Sequence, residues 1–333
     1  RNASTLPGMT QNGFPGTYRT GPLFVGLAVL LLAGCAGSPG VAPGAAIADG
    51  TAEGGNAPVG RGTLEYVGAA WKSGQLSDVH FLFYWNQVTP EDAGFWGNVE
   101  SDRDEMEWDD LDEALLVSRV ASIPARLHAL VSHEDQPDWI AELEGEEQLE
   151  QVDEWFAALG ERYGGIAFVE VVHEPLTAVP PYADALGGAG TTGYDCVLTG
   201  GRLDEYLRLV RLLDDRGLVD GIGVEAHSLE AGSLEPVRRT LDRLGETGLP
   251  VYVTELDVDM RDDRDHERRI AELVTLFAEH PAVRGVTFWG YREDRIERTN
   301  AYLLRADGSQ RPAMEWLMRE VGVPLATPAA GSN

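Results

Sequence analysis

Two glutamates end apolar runs of this chain, and their positions suit acid and base chemistry. Glu174 closes the run "FVEVVHEPL" just before Pro175, and Glu255 lies within "VYVTELDVD". A buried strand gains nothing from a carboxylate at its tip, because an ionised group there is costly unless it is paired. Two carboxylates on separate strands, with histidines and tryptophans around them, favour glycoside hydrolysis. In that chemistry one carboxyl protonates the leaving oxygen while the other attacks the anomeric carbon or activates water.

Other apolar runs also end in polar side chains, and this repetition favours a site over accident. Taken singly, a glutamate at a strand end is more often an ion-pair partner, and His227 or Trp289 would be an ordinary core residue. The histidines could instead bind a metal through their ring nitrogens. No metal-ligand spacing stands out, so we rank a metal site lower and expect no metal or cofactor. The polar set comprises Asn86, Gln87, Glu91, His128, His133, His173, Glu225, His227 and Asp257.

The elements that must position these side chains are short apolar strands alternating with segments of helical period. Apolar stripes run from Leu149 to Leu159, from Leu203 to Val210 and from Ile270 to Phe277. Such alternation predicts a parallel sheet covered by helices. No Gly-rich phosphate loop follows a strand, so a (β/α)8 TIM barrel with its site at the carboxyl ends is favoured over a dinucleotide-binding fold. The predicted strands are "LEYVGAA", "VHFLFYW", "ARLHALV", "AFVEVVHE", "DGIGVEAH", "VYVTELDV" and "RGVTFWGY".

One strand of the predicted barrel is missing from the sequence pattern. Only seven runs qualify, and 49 residues separate Glu174 from Gly223 in the next run. That interval holds a long loop and a predicted helix from Arg202 to Arg216, but no apolar strand. Either the segment from Cys196 to Leu198 closes the gap, or the barrel is missing or distorted at its fifth β/α unit, which would expose two strand edges.

The charge of the chain excludes some partners. A formal net charge of -29 over 333 residues repels nucleic acid and acidic lipid headgroups, so a neutral or cationic ligand is favoured. Lys72 is the only lysine, and two cysteines cannot build a disulfide framework or a cysteine zinc site.

The first 62 residues predict export followed by a tether. Arg19 precedes an apolar segment from Leu23 to Ala33 that is too short to span a bilayer, which is typical of a signal peptide over residues 1–35. Its ending, Leu-Ala-Gly-Cys, resembles a bacterial lipobox and implies lipid attachment at Cys35 on the cell surface or outer membrane. The less favoured alternative is an ordinary secretory signal cut a little later, which would give a secreted protein. Residues 36–62 are rich in Gly, Ala and Pro and are predicted to be a flexible linker, with a barrel over 63–322 and a frayed tail over 323–333.

Six ordered motifs together resemble glycoside hydrolase family 10, the endo-1,4-β-xylanases. The resemblance runs from about Leu64 to Leu317 and implies a retaining mechanism with Glu174 as general acid/base and Glu255 as nucleophile. Retention requires the two carboxyls about 5 to 5.5 Å apart. The resemblance also implies that His227 and Asp257 lie beside the nucleophile. The motifs are "YWNQVTPEDAGFWGNVE", "LHALVSHEDQPDWI", "VEVVHEPL", "DGIGVEAHSLE", "VYVTELDVD" and "GVTFWGY".

That division of labour makes opposite demands on the two pKa values. Glu255 must be ionised, which a histidine hydrogen-bonded to its carboxylate would favour. Glu174 must stay protonated until the leaving group departs, so an apolar wall and the charge of Glu255 should raise its pKa. Trp289 would supply part of that wall and a face for the sugar ring.

Several positions depart from the family pattern where the resemblance implies sugar contacts. Where the resemblance leads us to expect an asparagine before the acid/base, this chain has His173. The expected Asn-x-x-Lys is replaced by Asp92 to Phe95. Ser132 and Glu225 stand where a tryptophan and a glutamine are expected. These changes predict weakened or redirected binding on the non-reducing side of the cleaved bond. The implied substrate-binding residues are Glu91, Asp92, His128, His173, Glu225 and Trp289.

Two functions therefore stay open at this point. The first is an exported, lipid-anchored retaining endo-β-1,4-glycanase, with xylan as the favoured polysaccharide substrate, acting as a monomer. The second is a catalytically impaired family member that binds polysaccharide at the cell surface. We favour the enzyme, because a pure binding protein has no need of both glutamates.

Overall fold

A computed structural model describes residues 64–72, 74, 81–174, 180–185, 198 and 202–321. Within these residues seven strands alternate with helices in the order expected for repeated β/α units. The strands are β1 (Tyr66–Trp71), β2 (Val88–Pro90), β3 (Arg126–Leu127), β4 (Phe168–Val169), β5 (Ile222–Ala226), β6 (Val251–Leu256) and β7 (Val283–Phe288). The helices are α1 (Phe81–Tyr84), α2 (Trp96–Val99), α3 (Asp109–Ala121), α4 (Gly145–Tyr163), α5 (Leu203–Asp214), α6 (Glu235–Gly245), α7 (Asp263–Glu279) and α8 (Pro312–Glu320).

All strand pairs are parallel, and they form two neighbouring sheets. Five strands lie in the order β2-β1-β7-β6-β5, and β3 pairs with β4. A single parallel bridge between Val88 and Ala125 connects the two sheets through β2 and the start of β3. The circuit β4-β3-β2-β1-β7-β6-β5 is therefore continuous, and its two ends are β4 and β5.

β4 and β5 are the two ends of the described strand circuit, and they flank the interval in which the sequence pattern lacks a strand. No strand joins these two among the residues that the structure describes. Val169 and Val172 on the β4 side are 38% and 41% exposed, which is unusual for barrel-strand valines. Tyr206 of α5 reaches across to β5, where its hydroxyl donates a hydrogen bond to the carbonyl of Gly223 at 2.8 Å. Leu198 is fully buried, whereas Cys196 lies outside the described residues.

The apolar stripes predicted from the sequence cover the sheet as expected. In α4, Val152, Trp155 and Leu159 are buried, and Trp155 donates from its indole nitrogen to the carbonyl of Leu130 at 3.1 Å. The spacing of three and four residues puts these side chains on one helix face, against the strands.

One predicted strand is wrong. The run "VHFLFYW" contains the short helix α1, and the second barrel strand is the next segment, Val88–Pro90. Phe81 and Trp85, four residues apart, are almost fully buried, while Phe83 between them is 47% exposed. A short continuous apolar run does not distinguish a strand from a buried helical turn, and here the four-residue spacing fits the helix.

Several sequence predictions fall on residues that the structure leaves undescribed. They concern the signal peptide with Cys35, the linker, Pro175 and the tail, and they stay predictions. Within the described part of the chain, no helix combines the length and apolarity needed to cross a membrane.

Candidate active site

Glu255 lies near the end of β6, in the wall of a cleft at the carboxyl ends of the strands. Its side chain is buried, with only 4% of the residue exposed. His227, just beyond β5, places Nε2 at 3.0 Å from Oε2 of Glu255. The other oxygen, Oε1, is buried and has no hydrogen-bond partner among the described residues. One oxygen is thus held in place and the other is left for a ligand.

On the side away from Glu255, His227 contacts Asp257, which in turn pairs with Arg298. Its Nδ1 lies 2.9 Å from Oδ2 of Asp257, and Arg298 donates to Oδ1 of Asp257 at 2.7 Å. Burial lowers the pKa of His227, but the hydrogen bonds and charges of Asp257 and Glu255 outweigh it and raise this pKa to about 11. His227 is therefore an imidazolium between two carboxylates at neutral pH.

The surroundings lower the pKa of Glu255 despite its burial. Desolvation opposes ionisation, but the hydrogen bond from His227 and the charges of His128 and His173 favour the carboxylate more strongly. Glu255 is thus the ionised member of the predicted pair.

Glu174 follows β4 in an uncommon backbone conformation and in a different electrostatic setting. Its φ of 46° lies in the left-handed region, where a non-glycine residue is held only by its surroundings. Its Oε2 lies 3.8 Å from Nδ1 of His133. Burial and the charges of Glu134 and Glu255 raise its pKa, against the lowering effect of His173 and His133. The pKa of Glu174 is therefore raised and that of Glu255 is lowered, as a general acid and a nucleophile respectively require.

His173 and Glu225 meet where β4 and β5 face each other across the gap. Nδ1 of His173 lies 4.0 Å from Oε1 of Glu225 and 3.1 Å from Oε1 of Glu170. Burial lowers the pKa of His173, but the hydrogen bond to Glu170 and the charges of Glu170, Glu255 and Glu225 raise it to about 9. Burial and the charge of Glu255 raise the pKa of Glu225 to about 8. At neutral pH, Glu225 is therefore a protonated acid that can donate a hydrogen bond, as the amide of a glutamine does.

His128 lies directly after β3 and joins the same group of side chains. Its Nδ1 is 3.0 Å from Oε2 of Glu170. Its ring packs edge-on against Phe95 at 4.9 Å and against Trp289 at 5.1 Å between centroids. Trp289 and Phe95 thus wall the cleft next to the histidine.

Two residues that sequence reasoning missed, Arg126 and Glu170, organise this part of the site. Arg126 is buried and donates to Oε2 of Glu170 at 2.5 Å and to the carbonyl of Thr254 at 2.9 Å. The charges of His128 and Arg126 outweigh burial and hold the pKa of Glu170 well below its usual range. A charged residue in the middle of an apolar strand is the sequence feature that could have identified both.

The register between β5 and β6 is irregular at Thr254, whose carbonyl accepts the hydrogen bond from Arg126. Val224 pairs with Val253 and Glu225 pairs with Glu255, so Thr254 is an extra residue on β6. Such bulges turn side chains and carbonyls near a site. The bulge therefore brings Glu225 and Glu255 side by side on neighbouring strands.

Glu91 and Asp92 lie after β2 and form the remaining edge of the predicted site. Oε1 of Glu91 is 3.0 Å from Nζ of Lys72. For Glu91, the effect of burial is larger than that of the ion pair and raises the pKa to about 7. For Lys72, burial lowers the pKa, but the hydrogen bond and charge of Glu91 outweigh this and raise it. Burial also raises the pKa of Asp92, opposed by the charges of Lys72 and His128.

All the predicted catalytic and substrate-binding residues are among the described residues, and they lie at the carboxyl ends of their strands. Ser132, at a position where the family resemblance leads us to expect tryptophan, is buried and accepts a hydrogen bond from the backbone nitrogen of Glu134 at 2.9 Å. Its small side chain fills less of the cleft than an indole would.

The chain is similar to known proteins in its sequence and in its fold. The profile described as glycosyl hydrolase family 10 matches residues 60–199 and 193–320. The chain is 28% identical over 272 residues to endo-1,4-beta-xylanase B of Cellvibrio japonicus, covering 76% of this chain and 45% of that protein. It is 35% identical over 112 residues to endo-1,4-beta-xylanase 2 of Arabidopsis thaliana, covering 33% of this chain and 10% of that protein. The chain therefore spans less than half the length of these curated relatives.

Solved structures show the same fold. An endo-beta-1,4-xylanase from Gloeophyllum trabeum superposes with a TM-score of 0.66 at 20% identity, covering 78% of this chain and 96% of the other. Xylanase 10B of Thermotoga petrophila, solved in complex with xylobiose, gives 0.65 at 20% identity, covering 77% and 93%. These likenesses confirm the predicted TIM-barrel class.

Proposed function

Because the chain belongs to glycosyl hydrolase family 10, we propose that it is a retaining endo-β-1,4-glycanase whose substrate is xylan. The observation that carries the proposal is the setting of Glu255. One of its carboxylate oxygens is held by His227, and the other is buried without a partner among the described residues. An oriented, ionised carboxylate with one uncommitted oxygen is what a nucleophile at an anomeric carbon requires.

The first step forms a covalent glycosyl-enzyme. Oε1 of Glu255 attacks the anomeric carbon while Glu174 gives its proton to the departing glycosidic oxygen, so the C–O bond breaks as the ester bond forms. In the second step Glu174, now a carboxylate, takes a proton from water, and that water displaces Glu255 from the anomeric carbon. Each step inverts the configuration at the anomeric carbon, so the two steps together retain it.

The electrostatics of the cleft support these roles. The imidazolium of His227 and the charges of His128 and His173 favour the ionised form of Glu255. Burial favours the protonated form of Glu174. When Glu255 loses its charge on forming the ester, one of the influences that raises the pKa of Glu174 disappears, which suits its change from acid to base.

The relatives support xylan as the substrate class. The curated relatives are named endo-1,4-beta-xylanases, and one of the solved structures holds xylobiose. His173 and protonated Glu225 stand at positions where the family resemblance leads us to expect amides, and both can still donate a hydrogen bond. We therefore propose a xylan-type substrate with altered preference on the non-reducing side.

Product analysis tests the proposal directly. The protein is incubated with arabinoxylan, glucuronoxylan and mixed-linkage glucan, and the anomer released first is followed by proton NMR. The expected result is a β anomer as the first product, together with cleavage of internal bonds of the polymer that creates new reducing ends. An α product formed first, meaning inversion, would overturn the double displacement.

A second candidate is a polysaccharide-binding protein without turnover. The observation that favours it is the commitment of His173 to Glu170 at 3.1 Å, which restricts its imidazole relative to a free asparagine amide. Binding to insoluble xylan without any released sugar would select this candidate. Measurable turnover would exclude it.

We also propose that the chain is exported and anchored by lipid at Cys35. Three features of its N-terminal segment support this: the positive charge of Arg19, the apolar residues from Leu23 to Ala33, and the sequence Leu-Ala-Gly-Cys that follows. Expression in a bacterial host with labelled palmitate tests this. Label and membrane association that disappear in Cys35→Ala are expected, and an unlabelled protein in the culture medium would contradict the anchor.

A further inference from the structure

Three side chains from separate strand ends converge in the cleft in a way that hydrolysis alone does not require. His128 after β3, His173 after β4 and Glu255 on β6 each offer one ligand atom, and these atoms lie within 4.8 Å of one another. All three residues are buried. Two imidazoles and one carboxylate are a donor set that suits zinc, copper or nickel ions.

The two histidines share an outer partner of the kind that metal-binding histidines have. Nδ1 of His128 lies 3.0 Å from one oxygen of Glu170, and Nδ1 of His173 lies 3.1 Å from the other. A carboxylate that accepts the Nδ1–H of a histidine leaves the Nε2 lone pair for a metal, and it fixes the ring orientation. Arg126 holds Glu170 in turn, so both rings are oriented before any ligand arrives.

Glu255, the third residue of this cluster, has one carboxylate oxygen that can bind a metal. Oε1 of Glu255 is buried without a hydrogen-bond partner among the described residues, and Oε2 is held by His227. A bound dication would supply the missing partner. The net charge of -29 for the whole chain adds negative potential that favours a cation.

The spacing of the three atoms is close to what a metal needs. Zinc–nitrogen bonds of about 2.0–2.1 Å place tetrahedral ligands about 3.4 Å apart. From a separation of at most 4.8 Å, each atom reaches such a position by moving about 1 Å or less, which small side-chain rotations provide.

We propose that His128, His173 and Glu255 form a binding site for one divalent transition-metal ion of the zinc class. The ion takes the oxygen that would attack the sugar, so it excludes catalysis while bound. A metal-inhibited state of the cleft therefore exists in this chain, and His173 is the residue that completes it.

Two neighbouring clusters are weaker candidates. One comprises His133, Glu134 and Glu174, and the other comprises His173, Glu174 and Glu225. Each offers one histidine, and Glu134 is 56% exposed. Neither has a carboxylate behind two imidazoles, so the ion belongs in the buried cluster.

Cobalt absorption tests the site without any substrate, so that metal binding and hydrolysis can fail independently. The chain is freed of metal with EDTA, dialysed and titrated with CoCl2 at pH 8, where binding of the ion displaces the proton that His173 carries. One Co2+ per chain with visible absorption is expected, displaced by one equivalent of Zn2+. His173→Asn and His128→Asn should abolish the absorption, and Glu170→Gln should weaken binding about 10- to 100-fold by loss of the outer partner.

His133→Asn is the matched control, because His133 belongs to the outer cluster and not to the proposed one. It should bind Co2+ like the unchanged chain. Absorption that disappears in His133→Asn but persists in His128→Asn would overturn the proposal. Absence of stoichiometric binding in the unchanged chain would overturn it as well. Unaltered circular dichroism of His173→Asn and His128→Asn shows that a loss of binding is not a loss of fold.

Discussion

Arg126 of β3 donates to Glu170 beyond β4 across 2.5 Å, and the same guanidinium reaches the carbonyl of Thr254 on β6. Its Nε also lies 3.3 Å from the hydroxyl of Thr89 on β2. One buried cation thus connects the two-stranded and the five-stranded sheets behind the cleft. Because no strand of the described residues joins β4 to β5, this connection takes a larger share in holding β4 and His173 beyond it.

Replacement of Arg126 by methionine should destabilise the fold. Glu170 would lose its cation while it stays largely buried, and we expect a loss of about 3 kcal/mol in the free energy of unfolding, since breaking a buried ion pair costs about 3–5 kcal/mol and Glu170 is 19% exposed. Urea unfolding measures this. Adding Glu170→Gln to Arg126→Met should recover part of the loss, and a further loss of similar size would argue against the ion pair as the cause.

Glu174→Ala and Glu255→Ala should abolish most activity on xylan. Loss of a general acid typically reduces rates by about 10² to 10⁴, and loss of the nucleophile should cost at least as much. Initial rates of reducing-sugar release check this. Glu150→Gln, on the exposed face of α4, is the matched carboxylate control and should behave like the unchanged chain. Equal activity of Glu255→Ala and the unchanged chain would remove Glu255 from the mechanism.

His227→Ala should alter the pH profile as well as the rate. Removing the donor at 3.0 Å from Glu255 should lower kcat/KM by a factor on the order of 10². The imidazolium lowers the pKa of Glu255, so its loss raises that pKa, and the acid limb of the profile should move to higher pH. Asp259→Asn, two residues beyond Asp257, should leave the acid limb in place. A fall in rate without movement of the limb would assign His227 to substrate contact instead.

Glu91 should make the fold less stable as pH rises. Its pKa is about 7 in the folded chain and 4.5 as the ordinary value, so the folded state binds the proton more tightly. The stability from this group is full below about pH 4.5 and is lost as pH rises to 7, a loss of about 2–3 kcal/mol. Glu91→Gln should remove this part of the pH dependence. The difference in unfolding free energy between Glu91→Gln and the unchanged chain, measured at pH 4.5 and pH 8, should therefore grow with pH, and a constant difference would contradict the assignment.

Glu225→Gln should matter only in alkaline solution. The pKa of Glu225 is raised to about 8, so below pH 7 it is a neutral donor much like a glutamine. Above pH 8 it becomes a second negative charge near Glu255 and loses its proton for donation. The ratio of kcat/KM for Glu225→Gln to that of the unchanged chain should lie near 1 at pH 6 and rise above pH 8. A constant ratio above 1 would mean that Glu225 is already ionised at pH 6, and a constant ratio of 1 would mean that its charge does not affect catalysis.

The sequence pattern predicted the element types well where the pattern was long. The stripe from Leu149 to Leu159 lies in α4, and "VYVTELDV" contains β6, because burial on one face leaves a clear period. The strand predicted for "VHFLFYW" is wrong because the five consecutive apolar residues from Phe81 to Trp85 carry no period, and only the packing of Phe81 and Trp85 shows the helix.

The sequence by itself determined the barrel class, the interval without an apolar run between Glu174 and Gly223, and the residues at the strand ends, because each of these depends only on the order of residues along the chain. Only the tertiary structure decided which of those ends meet. Arg126 and Glu170 gave no motif, and His128, His173 and Glu255 showed no metal-ligand spacing, since they come from three different strands. Parallel strands bring their carboxyl ends together in the fold, so distances between side chains there depend on register, bulges and pairing order, which spacing along the sequence does not contain.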